Sequence, residues 1–226
     1  MKARLTGINY NEVLLYLGYK GQTIDAKLSL QLEYCINDCL NNAEPRLVYK
    51  CLDVVDGEIQ GLNLSGNDIK TLLKDCKMAI VAAASLGLKA DKFVQTKQIT
   101  DMGSAAIINC AQSSAIENVC DNFQQDIKHE YQAQGLYITD RFSPGYGDLP
   151  LETSHEILKL LDAEKRIGLV INANHMMVPK KSVTFIIGIA DKEQSFRKKG
   201  CESCSMFLNC QYRRQGVSCN GQNDNT

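Results

Sequence analysis

The sequence has no excess of charge of either sign and no long apolar run. It contains 25 lysines and arginines against 26 aspartates and glutamates. A chain without an excess of positive charge is poorly suited to bind the phosphate backbone of nucleic acid, so nucleic acid is not an expected partner. No stretch approaches the roughly 18 apolar residues of a membrane-spanning helix, and the N-terminus lacks the apolar segment of a signal peptide. We therefore expect a cytoplasmic protein that does not enter a membrane.

Ten cysteines are the most unusual feature of the composition. In a reducing compartment, cysteines favour metal binding or packing over structural disulfides. Cys35 and Cys39 are one turn apart on a predicted helix, but no second pair of similar spacing lies nearby, which favours packed thiols. His129, His155 and His175 also lack metal-ligand spacing.

The C-terminal segment has a different cysteine pattern, with the spacing C-x2-C-x5-C-x8-C through Cys201, Cys204, Cys210 and Cys219. The first two thiolates can bind one metal from a single turn, and a loop can bring in the other two. We expect a metal site here, either a 4Fe–4S cluster or zinc. The pattern divides the chain into a main domain, residues 1–195, and a cysteine-rich tail, residues 196–226.

The main domain alternates predicted strands and helices. Arg46–Val55 is a β-branched, partly alternating run, and Met78–Leu86 is a nearly continuous apolar run typical of a strand buried on both faces. Leu169–Ile171 and Val183–Ile189 also read as strands, and their short link predicts that they pair antiparallel. The alternation favours an α/β or α+β layer arrangement. Helices are predicted at about residues 11–17, 25–40, 67–73 and 151–165, the third capped by Asn67 and the last closed by Gly168.

A long helix is predicted from a cap at Asp101 to about Gln132. Its main apolar arc contains Ile108, Ala111, Ala115, Ile116, Val119, Phe123 and Ile127. The opposite arc carries small side chains at Gly103, Ala106, Cys110, Ser113 and Ser114. Such a face lets another layer or a ligand approach closely. Glu117 is the first charge on this arc and is either an ordinary surface acid or a carboxylate aimed at a bound cation; Asp121 beyond it is expected to be solvated.

Residues 137–150, the Arg141 loop, combine an arginine, a rigid turn, an aromatic ring and an acid. Pro144 fixes one backbone angle, and the glycines on either side of Tyr146 permit positive φ. The turn is therefore predicted to present Arg141, Tyr146 and Asp148 to a small charged ligand from a stiff frame. The plainer interpretation is a Pro-Gly turn between a strand and a helix.

Three sequence blocks agree in order and spacing with one known family over residues 137–190. They are Arg141-x-x-Pro144-Gly145-Tyr146-x-x-x-Pro150, the run LLDAEKRIG at residues 160–168, and the run MMVPKKSV at residues 176–183. Together they resemble the C-terminal activation domain of cobalamin-dependent methionine synthase. The resemblance implies an α+β fold with a twisted, mainly antiparallel sheet and flanking helices, one of them long.

The same resemblance implies a site for S-adenosylmethionine. Arg141 is expected to bind the carboxylate of this ligand, and Tyr146 is expected to lie beside its adenine or its sulfonium. Glu117 matches a glutamate of the family's site and is expected to face the ammonium. The backbone of the turn adds the remaining expected contacts, at Ser143, Pro144 and Gly145.

The implied function is reductive methylation of the cobalamin of a separate methionine synthase or related corrinoid protein. The chain is too short to hold the corrinoid itself, and no residue resembles a catalytic acid, base or nucleophile. We therefore expect an accessory component of that methyltransferase, with the corrinoid protein and a reductase as partners. Two alternatives remain. One is an iron–sulfur electron-transfer or escort factor for a corrinoid methyltransferase, and the other is an interaction protein without chemistry whose tail is held by a structural zinc.

Overall fold

The computed structural model describes residues 2–19, 21–174 and 176–193. The helices are α1 (Tyr10–Tyr16), α2 (Ala26–Asn42), α3 (Asn67–Leu73), α4 (Leu88–Thr100), α5 (Met102–Gln132), α6 (Thr153–Leu161) and α7 (Ala163–Ile167). The strands are β1 (Arg46–Val55), β2 (Glu58–Ile59), β3 (Cys76–Ser85), β4 (Tyr137–Ile138), β5 (Val170–Ile171), β6 (Met177–Val178) and β7 (Ser182–Ala190). Within this part of the chain, no helix combines the length and the apolar character needed to cross a bilayer.

Five strands form one antiparallel sheet in the order β2-β1-β3-β7-β4. β3 lies at the centre and pairs along most of its length with β1 and β7. The register places Tyr49, Ala82 and Phe185 side by side. The predicted α+β fold, with its antiparallel sheet and flanking helices, is confirmed.

Helices cover both faces of this sheet because successive residues of a strand point to opposite sides. Ile80 and Ala82 pack in a core with α1, α2, α4 and α5. Ala79 and Val81 pack in a second core with α3, α6 and α7. The predicted burial of this strand on both faces is confirmed, and it explains why the strand shows no alternation of apolar and polar residues.

The long helix α5 follows the prediction closely. The Asp101 carboxylate accepts a hydrogen bond from the N–H of Ser104 at 3.1 Å. Hydrogen bonds from the side chain and the backbone of Ser104 lower the pKa of Asp101. The predicted apolar arc is buried from Ile108 to Ile127. By contrast, no pattern in the sequence predicts α4, whose apolar residues show little helical periodicity.

The single helix predicted over residues 151–165 is two helices, α6 and α7. Asp162 adopts a left-handed conformation with φ of 51° and separates them. Gly168 closes α7 with φ of 68°, as predicted. Leu161 and Ile167 lie on either side of the break, and both are buried in the second core.

The predicted pairing of Leu169–Ile171 with Val183–Ile189 is wrong. β5 pairs with β6, whereas β7 pairs with β3 and β4. Asn172 closes the short β5–β6 hairpin, because its side chain accepts hydrogen bonds from the N–H groups of Asn174 and Met176. β7 is buried on both faces over most of its length, so it lies inside the main sheet.

The cap of α3 comes from the Arg141 loop. Gly66, and not Asn67, occupies the N-cap position. The Asp148 carboxylate accepts hydrogen bonds from the N–H of Asn67 at 2.6 Å and from that of Asp68 at 3.0 Å. A Cβ at Gly66 would lie 2.7 Å from Oδ1 of Asp148, so this close approach requires glycine. The structure therefore corrects two expectations: Asn67 does not cap the helix, and Asp148 anchors the turn to α3 instead of facing a ligand.

Candidate functional site

Arg141 is placed by the short antiparallel contact between the Arg141 loop and β7. Phe142 exchanges two backbone hydrogen bonds with Ile186, at 2.8 and 2.9 Å, and its ring is buried in the second core. Because side chains alternate across a strand, the preceding Arg141 points to the other face, toward α5. Its guanidinium carbon lies 5.8 Å from the centre of the Phe185 ring.

Two carboxylates of α5 bind the guanidinium. Nη2 of Arg141 lies 2.8 Å from Oδ1 of Asp121 and 3.1 Å from Oε2 of Glu117. The Arg141 side chain is only 18% exposed. The structure therefore brings together two of the predicted ligand-binding residues, Arg141 and Glu117, and joins them to each other. It also corrects the expectation that Asp121 is simply solvated.

The other terminal nitrogen of Arg141 is unused. Nη1 is buried and has no hydrogen-bond partner among the described residues. A buried donor without an acceptor costs about 1–3 kcal/mol. The guanidinium thus has one donor edge that an incoming acceptor, such as a carboxylate, would satisfy.

Burial has the largest effect on the ionisation of Glu117. Burial raises the pKa of its carboxyl, the positive charge of Arg141 lowers it, and the charges of Asp121 and Glu12 raise it further. The resulting pKa is above the usual glutamate value. The positive charge of Arg141 therefore does not offset the combined effect of burial and the two neighbouring acids.

Glu12 of α1 is a member of this cluster that no sequence motif indicated. Its Oε1 accepts a hydrogen bond from the Tyr16 hydroxyl at 3.0 Å, and its Oε2 accepts one from the Ser114 hydroxyl. No lysine or arginine in the described ranges forms an ion pair with it. The small-residue arc of α5 was the available signal, since it predicted a close neighbour. It could not say that α1 would be that neighbour.

Two tyrosines stand near these carboxylates. Burial, the hydrogen bond to Glu12 and the charges of Glu12, Glu117 and Tyr146 raise the pKa of Tyr16. Both rings remain accessible, with 44% of Tyr16 and 66% of Tyr146 exposed. The cluster of Arg141, Glu117, Glu12, Tyr16 and Tyr146 therefore offers charged groups of both signs beside exposed aromatic surface.

The turn that carries Tyr146 is closed by its own backbone. The N–H of Tyr146 donates to the carbonyl of Ser143 at 3.1 Å, and the N–H of Gly145 donates to the carbonyl of Leu149 at 2.9 Å. Gly145 has φ of 91°, a conformation that favours glycine. Pro144 is buried beneath the turn, whereas Gly145 is exposed. Ligand contacts by these backbone groups stay a prediction.

A polar groove borders Arg141. It has a volume of about 940 Å³ and lies between α3, α5 and β4. Asp121 and Arg141 both line it, and 63% of the Asp121 side chain is exposed. Asp121 is thus the more exposed of the two carboxylates that pair with Arg141.

The predicted metal ligands Cys201, Cys204, Cys210 and Cys219 lie outside the described residues. Within those residues, no group of three or more histidine, cysteine or acidic side chains is arranged to hold a metal ion. Cys35 and Cys39 are buried and unpaired, which confirms that they are packed thiols.

Comparisons with known proteins bear on the fold. No protein-family model and no curated protein matches the chain. Among solved structures, the MetH reactivation domain bound to AdoHcy aligns with a TM-score of 0.58 over 94% of this chain and 82% of that chain, at 13% identity. A nitroreductase family protein from Streptococcus pneumoniae aligns with a TM-score of only 0.35 at 9% identity, over 80% of this chain and 88% of that chain, which is too low to indicate a shared fold. The chain has the fold of the MetH reactivation domain.

The raised pKa of Glu117 predicts how its removal affects stability. A carboxyl whose pKa is higher in the folded than in the unfolded state contributes stability at low pH and loses it as pH rises through the folded pKa. We expect Glu117→Gln to be as stable as the wild type or more stable at neutral pH, because the amide removes a half-buried charge while Asp121 remains paired with Arg141. The stability difference should vanish below the ordinary pKa range of glutamate. Thermal unfolding followed by circular dichroism measures both.

The matched control is Glu33→Gln, which changes an exposed acid of α2. This variant should leave the melting temperature unchanged at either pH. A Glu117→Gln protein that is clearly less stable than the wild type at neutral pH would show that the ion pair with Arg141 outweighs burial of the charge.

Proposed function

We propose that this chain binds S-adenosylmethionine and presents it for reductive methylation of the cobalamin of a separate methionine synthase or related corrinoid protein. The observation that carries the proposal is Nη1 of Arg141, which is buried without a hydrogen-bond partner among the described residues and lies beside carboxylates in a fold shared with a domain solved with AdoHcy. The three sequence blocks that resemble the methionine synthase activation domain add support, because Arg141 and Tyr146 belong to the first of them.

Arg141 would bind the carboxylate of the methyl donor. Hydrogen bonds between a guanidinium and a carboxylate are among the strongest that a protein offers. Because Nη1 is enclosed, the ligand reaches it only after a neighbouring group moves. Rotation of Asp121 into the polar groove would open the path and leave Nη1 and Nη2 for a two-point contact.

The carboxylates of Glu117 and Glu12 would face the positive charges of the donor. S-adenosylmethionine carries an ammonium and a sulfonium, and its single carboxylate neutralises only one of these two positive charges. The exposed rings of Tyr16 and Tyr146 can add cation–π contacts worth roughly 0.5–2 kcal/mol each. The described residues thus fit a ligand with one negative and two positive groups.

The role of the chain would be to position the donor and to exclude water, not to supply an acid or a base. The donor would supply a methyl group whose bonding electron pair stays on sulfur. The partner's cobalt, reduced by one electron from an external reductant, would supply the pair for the new bond. Rigid presentation is consistent with the closed turn at Tyr146 and with its anchor at Asp148.

Isothermal titration calorimetry with S-adenosylmethionine tests the proposed function. We expect Arg141→Ala to weaken binding by about 10- to 100-fold, which corresponds to the roughly 1.5–3 kcal/mol of a hydrogen bond to a charged group. The affinity of Arg141→Lys should lie between those of the wild type and Arg141→Ala, because lysine keeps the positive charge but lacks the planar guanidinium group.

The matched control is Arg4→Ala, which removes an arginine that pairs with Asp126 of α5, the helix that also carries Glu117 and Asp121. It should leave the affinity unchanged. Equal affinity of Arg141→Ala and the wild type, with both proteins folded, would refute the assignment of Arg141. A wild-type protein that gives no binding would refute the function.

We also propose that the four cysteines of the tail hold a metal, on the support of their spacing alone. Metal and sulfide analysis of anaerobically purified protein tests this, with Cys204→Ser expected to lose the metal and Cys51→Ser, at an exposed cysteine of β1, expected to keep it. Iron with sulfide would favour the electron-transfer or escort function, and stoichiometric zinc would favour a structural clip. Absence of both metals would refute the site.

A further inference from the structure

We infer that Glu12 makes the site selective for the cationic methyl donor over its neutral, demethylated product. This inference rests on the proposed function and concerns the charge that the same site selects. Glu12 does not belong to any of the sequence blocks that carry the family resemblance.

The charges of the cluster do not balance. Arg141 supplies one positive charge, while Glu117, Asp121 and Glu12 supply three negative charges when ionised. In the described part of the chain, Arg141 is the one basic residue that forms an ion pair with Glu117 or Asp121, and none pairs with Glu12. The cluster therefore has a formal charge of about −2 when all four groups are ionised, and it favours a ligand that brings positive charge.

Glu12 is held toward this cluster and not toward bulk solvent. The Ser114 hydroxyl of α5 donates to one carboxylate oxygen, and the Tyr16 hydroxyl donates to the other. Ser114 and Glu117 are three residues apart on α5, so their side chains lie on neighbouring turns of one face, about 5–6 Å apart at Cβ. Glu12 and Glu117 are thus close enough for the charge of one to affect the ionisation of the other.

Methyl transfer removes one positive charge from the ligand, and the negative cluster responds to that charge. S-adenosylmethionine carries a carboxylate, an ammonium and a sulfonium, so its net charge at neutral pH is positive. S-adenosylhomocysteine has lost the sulfonium charge and is neutral overall. An uncompensated carboxylate in a half-buried position stabilises the first ligand and gives little to the second. The same asymmetry would promote release of the product after transfer.

The test separates charge selection from a purely structural role of Glu12. Glu12→Gln keeps the size of the side chain and an oxygen acceptor, but it removes the charge. Calorimetric dissociation constants would be measured for S-adenosylmethionine, S-adenosylhomocysteine and sinefungin, in which an amine-bearing carbon replaces the sulfonium. We expect the preference for S-adenosylmethionine over S-adenosylhomocysteine to fall about threefold to tenfold. The affinity of Glu12→Gln for sinefungin should fall together with its affinity for S-adenosylmethionine, because sinefungin is also cationic.

A structural role would produce a different result, since loss of the α1–α5 contact would weaken all three ligands to a similar extent. The matched control is Asp126→Asn, which removes an acid of α5 that pairs with Arg4. It should leave the preference unchanged. Glu12→Ser provides a second variant with a small polar side chain and should reduce the preference at least as much as Glu12→Gln.

Two outcomes overturn the inference in distinguishable ways. If the wild type binds the ligands and Glu12→Gln has an unchanged preference, Glu12 does not select charge, and the proposed function is unaffected. If the wild type binds none of the three ligands, the proposed function fails and this inference fails with it.

Discussion

The position of the Arg141 guanidinium is the constraint on which the candidate site depends. It lies over the Phe185 ring and against two carboxylates of α5, with most of its side chain removed from water. A buried charge is tolerated only where it is paired, and breaking such a pair is costly. The carboxylates therefore hold the guanidinium in place, while Nη1 has no hydrogen-bond partner in the part of the chain that the structure describes. An arrangement with one missing acceptor is suited to gaining a ligand acceptor.

The rest of the fold serves to bring distant segments to this guanidinium. The contact of Phe142 with β7 sets the direction of Arg141, and the small residues of α5 allow α1 to carry Glu12 alongside. The cap that Asp148 gives to α3 fixes the far end of the turn. Each contact joins residues that are far apart in sequence, so the site exists only in the folded domain. Loss of any one of them would shift charged groups relative to each other without removing them.

Local sequence signals predicted the elements well, and they predicted long-range contacts poorly. The cap at Asp101, the apolar arc of α5 and the unbroken apolar run of β3 are local patterns, and the structure contains all three. Asp162 escaped prediction because a non-glycine residue in a left-handed conformation has little local signal. The pairing of β7 was wrong because a short link is a weaker constraint than burial of a strand on both faces. Glu12, Asp121 and Asp148 acquire their roles from partners 102, 20 and 81 residues away, which no spacing in the chain reveals.

The central claim is that Arg141 exchanges a protein carboxylate for that of the methyl donor, and a crystal structure of the complex tests it most directly. Crystals grown with saturating S-adenosylmethionine or S-adenosylhomocysteine should show the ligand carboxylate within hydrogen-bond distance of Nη1 of Arg141. Asp121 should then have turned into the polar groove. The account would be contradicted by a ligand bound elsewhere. It would also be contradicted if protein atoms still fill the space beside Nη1 of Arg141 and the Arg141–Asp121 pair is intact.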